Sequence, residues 1–156
     1  MIETLVERVA ADLREDEGWR PHAYDDLTGK PALAEGYVTL GYGFMVDARK
    51  NGRIPREVAE FWLRYEIVQI VERLSKRLPW FETAPTRVQA ALVNMAYQMG
   101  VAGVLGFRRM LGHLEAGRFT HAKQEALDSR WALQTPSRAR KVAAMIGSPH
   151  GSSRTS

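Results

Sequence analysis

The sequence contains no cysteine. That excludes disulfides, thiolate chemistry and cysteine-ligated metal, and it suits a reducing compartment or passage between compartments without oxidation. No run approaches the roughly 18 to 20 apolar residues that span a bilayer, so no stable membrane insertion is expected. The N-terminus, MIETLVERVAADLREDEG, has acids where a signal peptide is basic and lacks an apolar centre of matching length. Synthesis in the cytoplasm without a secretion signal is the expectation. There is no internal repeat, no low-complexity linker and no helix-turn-helix or other nucleic-acid motif, and nucleic acid is not expected as a partner.

The chain has 156 residues, 45% of them hydrophobic. That is enough for one core, or for a small lobe leaning on a larger one. The net charge of +4 is unevenly placed: residues 1–100 hold 13 basic against 15 acidic side chains, and residues 101–156 hold 9 against 3. A basic C-terminal portion, with Arg108, Arg109 and Arg138-Ala139-Arg140-Lys141, suits an anionic partner such as an acidic wall polymer; solubility alone is the other explanation.

Ile2, Leu5, Val6, Val9, Ala10 and Leu13 recur at helical spacing and predict a helix over 2–14, with Gly18 as its stop. Glu17 then lies in the last turn or just beyond it. The negative end of the helix dipole and the like charges of Glu15 and Asp16 suit a carboxyl that works protonated. Solvated helix-end charges are the plainer reading of all three. Residues 25–43 place Gly29, Pro31, Gly36, Gly41 and Gly43 between short Tyr-, Val- and Thr-rich runs, which predicts a hairpin with turns at 28–31 and near 35–36. So small a sheet must lean on helices. Pro55 opens a helix of some twenty-three residues that ends near Pro79, with Val58, Phe61, Trp62, Tyr65, Val68, Ile70, Val71 and Leu74 as its apolar positions. Beyond it everything reads as helix. Residues 85–99 are nearly apolar on all sides, 107–114 follow a glycine-rich turn, Thr120 is the expected N-cap of the next helix, and Thr135-Pro136 opens the last, which stops at Gly147. Residues 148–156 read as a frayed tail.

Three ordered blocks carry a resemblance. Glu17-Gly18, Tyr24-Asp25-Asp26 and the run Gly36 to Gly43 (GYVTLGYG) resemble the active-site segment of T4-type bacteriophage lysozymes. Leu92 to Gly100 (LVNMAYQMG) resembles that family's central-helix motif. Ser129-Arg130-Trp131 with Gln134 to Ala139 (QTPSRA) resembles its C-terminal signature. The resemblance implies an α+β, lysozyme-like single domain over 1–156. It would have a small N-terminal lobe with a short antiparallel sheet (15–55), a long connecting helix (55–78) and a larger all-helical lobe (79–147 plus helix 2–14).

It also implies an endolysin that hydrolyses the β-1,4 bond between N-acetylmuramic acid and N-acetylglucosamine in peptidoglycan, with inversion. By position, Glu17 is the general acid, Asp26 the second carboxylate, with Asp25 as alternate, and Thr39 the residue beside the attacking water. Tyr97, Gln98, Met45 and Glu125 fall at substrate-contacting positions. Arg138 falls where an arginine pairs with the catalytic glutamate, and Lys141 where a lysine pairs with the preceding acid, here Asp16. Trp131 reads as a supporting core residue. Peptidoglycan glycan strands are the implied partner and a phage holin the implied route of release, from the host cytoplasm to the wall in the periplasm, with the enzyme a monomer. No cofactor or metal is expected. The departures are Phe44 where a histidine is usual, so that an ion pair built on it is lost, Met45 for leucine, Glu125 for asparagine and a longer connection over 27–34.

Overall fold

A computed structural model describes residues 2–25, 38–42, 44–45 and 55–147; in strands it describes the backbone. Asp26, the expected turns at 28–31 and 35–36, the 27–34 connection and the tail lie outside these residues. Contacts divide the chain into two compact units, Met1–Val68 and Gln69–Ser156. The sequence reading grouped helix 2–14 with the helical lobe, whereas contacts group it with the first unit.

In the first unit, α1 (Ile2–Glu17) buries Leu5, Val6, Val9, Ala10 and Leu13, the stripe its spacing predicts. Each buried aliphatic side chain of this size stabilises by roughly 1.5–3 kcal/mol relative to exposure. The helix stops where Gly18 turns left-handed at φ 68, and the Gly18 amide donates to the Arg14 carbonyl at 3.0 Å. That single bond back into the last turn is the αL helix cap. The strands β1 (Arg20–Asp25), β2 (Val38–Gly41) and β3 (Phe44–Met45) form an antiparallel sheet in the order β1-β2-β3, with an irregularity in β1 between Arg20 and Tyr24. Then α2 (Arg56–Arg77) opens with Pro55, whose carbonyl accepts from the amides of Val58 and Ala59.

Among its described residues the second unit is helical: the end of α2 from Gln69, a 3-10 turn (Phe81–Thr83), α3 (Thr86–Leu105), α4 (Arg108–Glu115), α5 (Phe119–Leu127), α6 (Arg130–Gln134) and α7 (Pro136–Gly147). Helix α7 packs against α3, α5 and α6, and α4 against α5. By length and composition α3 could cross a membrane, but 56% of its most apolar window is buried, including Leu92, Val93 and Met95 at 0% exposure. It is a core helix. Gln89 enters the core with its amide nitrogen donating to the carbonyls of Glu82 and Ala84, at 3.2 and 2.8 Å, which holds the turn that leads into α3. Gly100, at φ 77 and ψ 159, interrupts α3 in a backbone region that is essentially glycine's alone.

Three expectations need correction. The α+β class overstates the sheet: among the described residues seven α-helices of up to 22 residues stand against strands of six, four and two, so the architecture is mainly α with a minimal sheet. Helix α2 buries Ala59, Leu63, Ile67, Ile70, Val71 and Leu74, while Val58, Phe61 and Tyr65 are 49%, 72% and 54% exposed. Ile70, Val71 and Leu74 are buried as expected, and the difference is confined to the first half of the helix, where Ala59, Leu63 and Ile67 face the core in place of Val58, Phe61 and Tyr65. Thr120 is not the cap of α5: Gly117 turns left-handed, the Arg118 amide donates to the His113 carbonyl, and the helix starts at Phe119 beneath the Arg87 guanidinium, 4.4 Å from its ring.

Nothing lies within 4 Å of a Cβ built on Gly18, so Gly18→Ala introduces left-handed strain without a clash. Denaturant unfolding is expected to show a loss of about 1 kcal/mol, with Gly18→Asn losing less; equal stability of all three proteins would contradict the cap.

Candidate active site

Glu17 closes α1 and is half-buried, one residue before the left-handed turn. Its backbone is fixed from both sides by one cluster. On the helix side, the Arg14 guanidinium grips the Glu60 carboxylate of α2, with Nε 3.1 and 2.9 Å from the two oxygens and Nη2 2.6 Å from Oε2. On the strand side, Trp19 stacks at a tilt on Tyr42, 5.5 Å between ring centroids, and Arg56 sits over the Trp19 ring at 5.5 Å. Tyr42 joins the two sides, since its hydroxyl donates to Glu60 Oε1. Only 1% of Tyr42 is exposed.

The charges follow this geometry. The Arg14 hydrogen bonds hold the Glu60 carboxyl below its usual range, with burial opposing and Tyr42 adding to the shift. Tyr42 is pushed up, first by burial and then by its bond to Glu60. The same pairing raises Arg14. A second tie between the helices joins Arg64 to Glu7.

Thr39 lies in the middle strand β2, paired in register with Tyr24 of β1 and Met45 of β3. The sheet therefore brings Thr39 and Met45 opposite each other and places Asp25, paired with Val38, at the end of β1. Asp26 follows it, outside the described residues.

The other expected site residues belong to the second unit. Tyr97 is half-buried and Gln98 exposed near the end of the buried part of α3. Trp131 is 8% exposed; its ring meets Phe107 edge-on at 6.1 Å and its indole Nε1 donates to Gln98 Oε1 at 2.8 Å. Trp131 thus both packs and orients the Gln98 amide. Its own position follows from Ser129, the N-cap of α6, whose hydroxyl accepts from the Ala132 amide at 3.1 Å and donates to the Ala126 carbonyl at 2.7 Å. Glu125 pairs with Arg109 at 2.9 Å, on the wall of a pocket of about 600 Å3 that also takes in Phe107, Asp128 and Ser129. Arg138 is half-buried on α7. Among the described residues no group of three or more His, Asp or Glu could hold a metal.

Sequence reasoning missed Arg14, Trp19, Tyr42, Arg56, Glu60 and Arg109. One signal was present: Glu60 adjoins Ala59 on the buried side of α2, and an acid at the edge of an apolar stripe calls for a cation. Because Glu60 is depressed, its contribution to stability is complete above the ordinary carboxylate value, about 4.3, and fades as pH falls through the lower folded value. Glu60→Gln is expected to lower the melting temperature at pH 7, with the gap to wild type narrowing steadily as thermal melts are taken below about pH 4.3. A gap independent of pH would contradict an ionised Glu60.

Three relatives bear on this site. The pre-baseplate central spike protein Gp5 of Enterobacteria phage T4 is 31% identical over 156 residues, which cover 88% of this chain. The chain spans only 27% of the length of that spike protein. The probable T4-type lysozyme 1 of Dictyostelium discoideum is 27% identical, across 91% of this chain and 95% of its own length. The probable T4-type lysozyme 2 of the same organism is 23% identical, across 83% and 88%. The phage lysozyme profile matches residues 14–145, from the arginine of the Glu60 cluster to the last helix. That match takes in every expected site residue, and the chain belongs to the phage lysozyme family.

Proposed function

We propose that the chain is a peptidoglycan hydrolase that cleaves the β-1,4 bond between N-acetylmuramic acid and N-acetylglucosamine with inversion. The observation that supports this most is the place of Glu17. It ends α1 on a turn held from both sides, and Tyr42 of the same cluster directly follows the strand that carries Thr39.

In this reading Glu17 gives its proton to the leaving glycosidic oxygen. Asp26 takes a proton from the water that attacks the anomeric carbon from the opposite face, and the Thr39 hydroxyl hydrogen-bonds that water. Bulk solvent then restores both carboxyls. Inversion requires about 6.5–9.5 Å between the carboxyl groups, the room one water needs. Tyr97 offers an aromatic face and Gln98 an amide, both suited to N-acetyl sugars, with the amide oriented by Trp131. Glu125 carries its Arg109 partner to the saccharide or its peptide. The family relation also supports a role as an endolysin that reaches the wall in the periplasm after a holin-type partner permeabilises the membrane. The likeness to part of a phage spike protein favours a second setting for the same chemistry, a wall-cleaving module within a larger assembly.

Clearing of permeabilised Gram-negative cells tests the assignment. Glu17→Gln is expected to clear at least about a hundredfold more slowly, the minimum usually lost with a general acid. Clearing at the wild-type rate would remove Glu17 from the chemistry. A digest dominated by anhydromuramic ends would instead indicate a lytic transglycosylase, in which an internal attack replaces the water held by Asp26 and Thr39.

A further inference from the structure

We propose that Tyr42, acting through Glu60, is a positioning residue: the Arg14–Glu60–Tyr42 cluster couples the turn that presents Glu17 to the strand that carries Thr39, so that the two move as one body. This inference rests on the reading of Glu17 and Thr39 given above. The pieces it joins are distant in sequence, with Arg14 and Glu60 46 residues apart and Tyr42 and Glu60 18 apart. A single carboxylate holds both. Arg14 lies one helical turn before Glu17, and its carbonyl accepts the amide of Gly18, so fixing Arg14 fixes the end of α1. Trp19, directly after Gly18, is held by Tyr42 and Arg56. Tyr42 itself follows Gly41, the last residue of β2.

The direction of this coupling follows from which bond is replaceable. Arg14 and Glu60 are bidentate and keep each other satisfied if Tyr42 loses its hydroxyl. Tyr42, directly after Gly41, ties the end of β2 to α2 through its hydroxyl. Loss of the hydroxyl leaves the buried ring and its contact with Trp19 but frees the strand to shift against the turn. A shift of about 1 Å between catalytic groups is enough to cost on the order of a hundredfold in rate.

Tyr42→Phe and Glu60→Gln test this with two independent readouts. In steady-state hydrolysis of soluble glycan fragments, well below either variant's melting temperature, Tyr42→Phe is expected to lower kcat about tenfold with KM within twofold. Glu60→Gln should do the same, and the double variant should lose no more than the worse single variant. In native-state amide exchange, which needs no activity, Gly18 and Leu40 should both exchange faster in Tyr42→Phe, with the helices of the second unit unchanged. A purely structural tyrosine would lower the melting temperature and leave kcat and the Gly18 amide at wild-type values, and that result would overturn the proposal. Additive losses in the double variant would do so as well. Should wild type fail to hydrolyse the fragments, the reading of the reaction falls, while the exchange experiment still decides the coupling.

Discussion

One carboxylate, Glu60 on α2, accepts from the Arg14 guanidinium and the Tyr42 hydroxyl at once, and the first unit is arranged around that shared acceptor. Three short strands cannot form a stable sheet alone. They need an anchor in the helices, and the buried ring of Tyr42 with its bond to Glu60 supplies one. The same carboxylate holds α1 to α2 near the end where Glu17 lies. A charge placed there is tolerable because three donors surround it and the pair keeps about a quarter of its side-chain surface in contact with water. Fully buried, it would face a desolvation cost that the attraction need not recover.

The second unit achieves order by a different route. Its core is largely apolar through α3, with Asn94 a buried polar exception, and two polar side chains fix element ends: Gln89 at the entry to α3 and Ser129 at the start of α6. The consequence for the site is Trp131, which the Ser129 cap places and which in turn orients Gln98. Each unit is thus ordered within itself, with a clamped helix end in one and an oriented amide in the other. Preorganisation of this kind is what catalysis by positioned carboxyls requires.

The sequence made the local events legible. Gly18, Pro55 and Pro136 mark element ends because each has a backbone preference that acts within a few residues. The stripe of α1 was readable because it is the helix's sole apolar face. In the second half of α2 the expected Ile70, Val71 and Leu74 do meet the core, but in the first half Val58, Phe61 and Tyr65 compete with Ala59, Leu63 and Ile67, and a period says nothing about which face is buried. Thr120 was misread because Gly117 and the Arg118 amide had already completed the turn. The Glu60 cluster could not have been found by spacing at all, since its members are 18 to 46 residues apart. As for the site, three ordered motif blocks suggested its residues, and family membership over 14–145 agrees with the family they pointed to.

The central claim is that Glu17 and Asp26 act on opposite faces of the sugar through one water. The most direct test is the anomeric configuration of the newly formed reducing end, followed by proton NMR in the first minutes of hydrolysis, before mutarotation. The account predicts that the α-anomer of N-acetylmuramic acid appears first and relaxes toward the equilibrium mixture. First appearance of the β-anomer would mean retention, and would contradict the water-mediated mechanism.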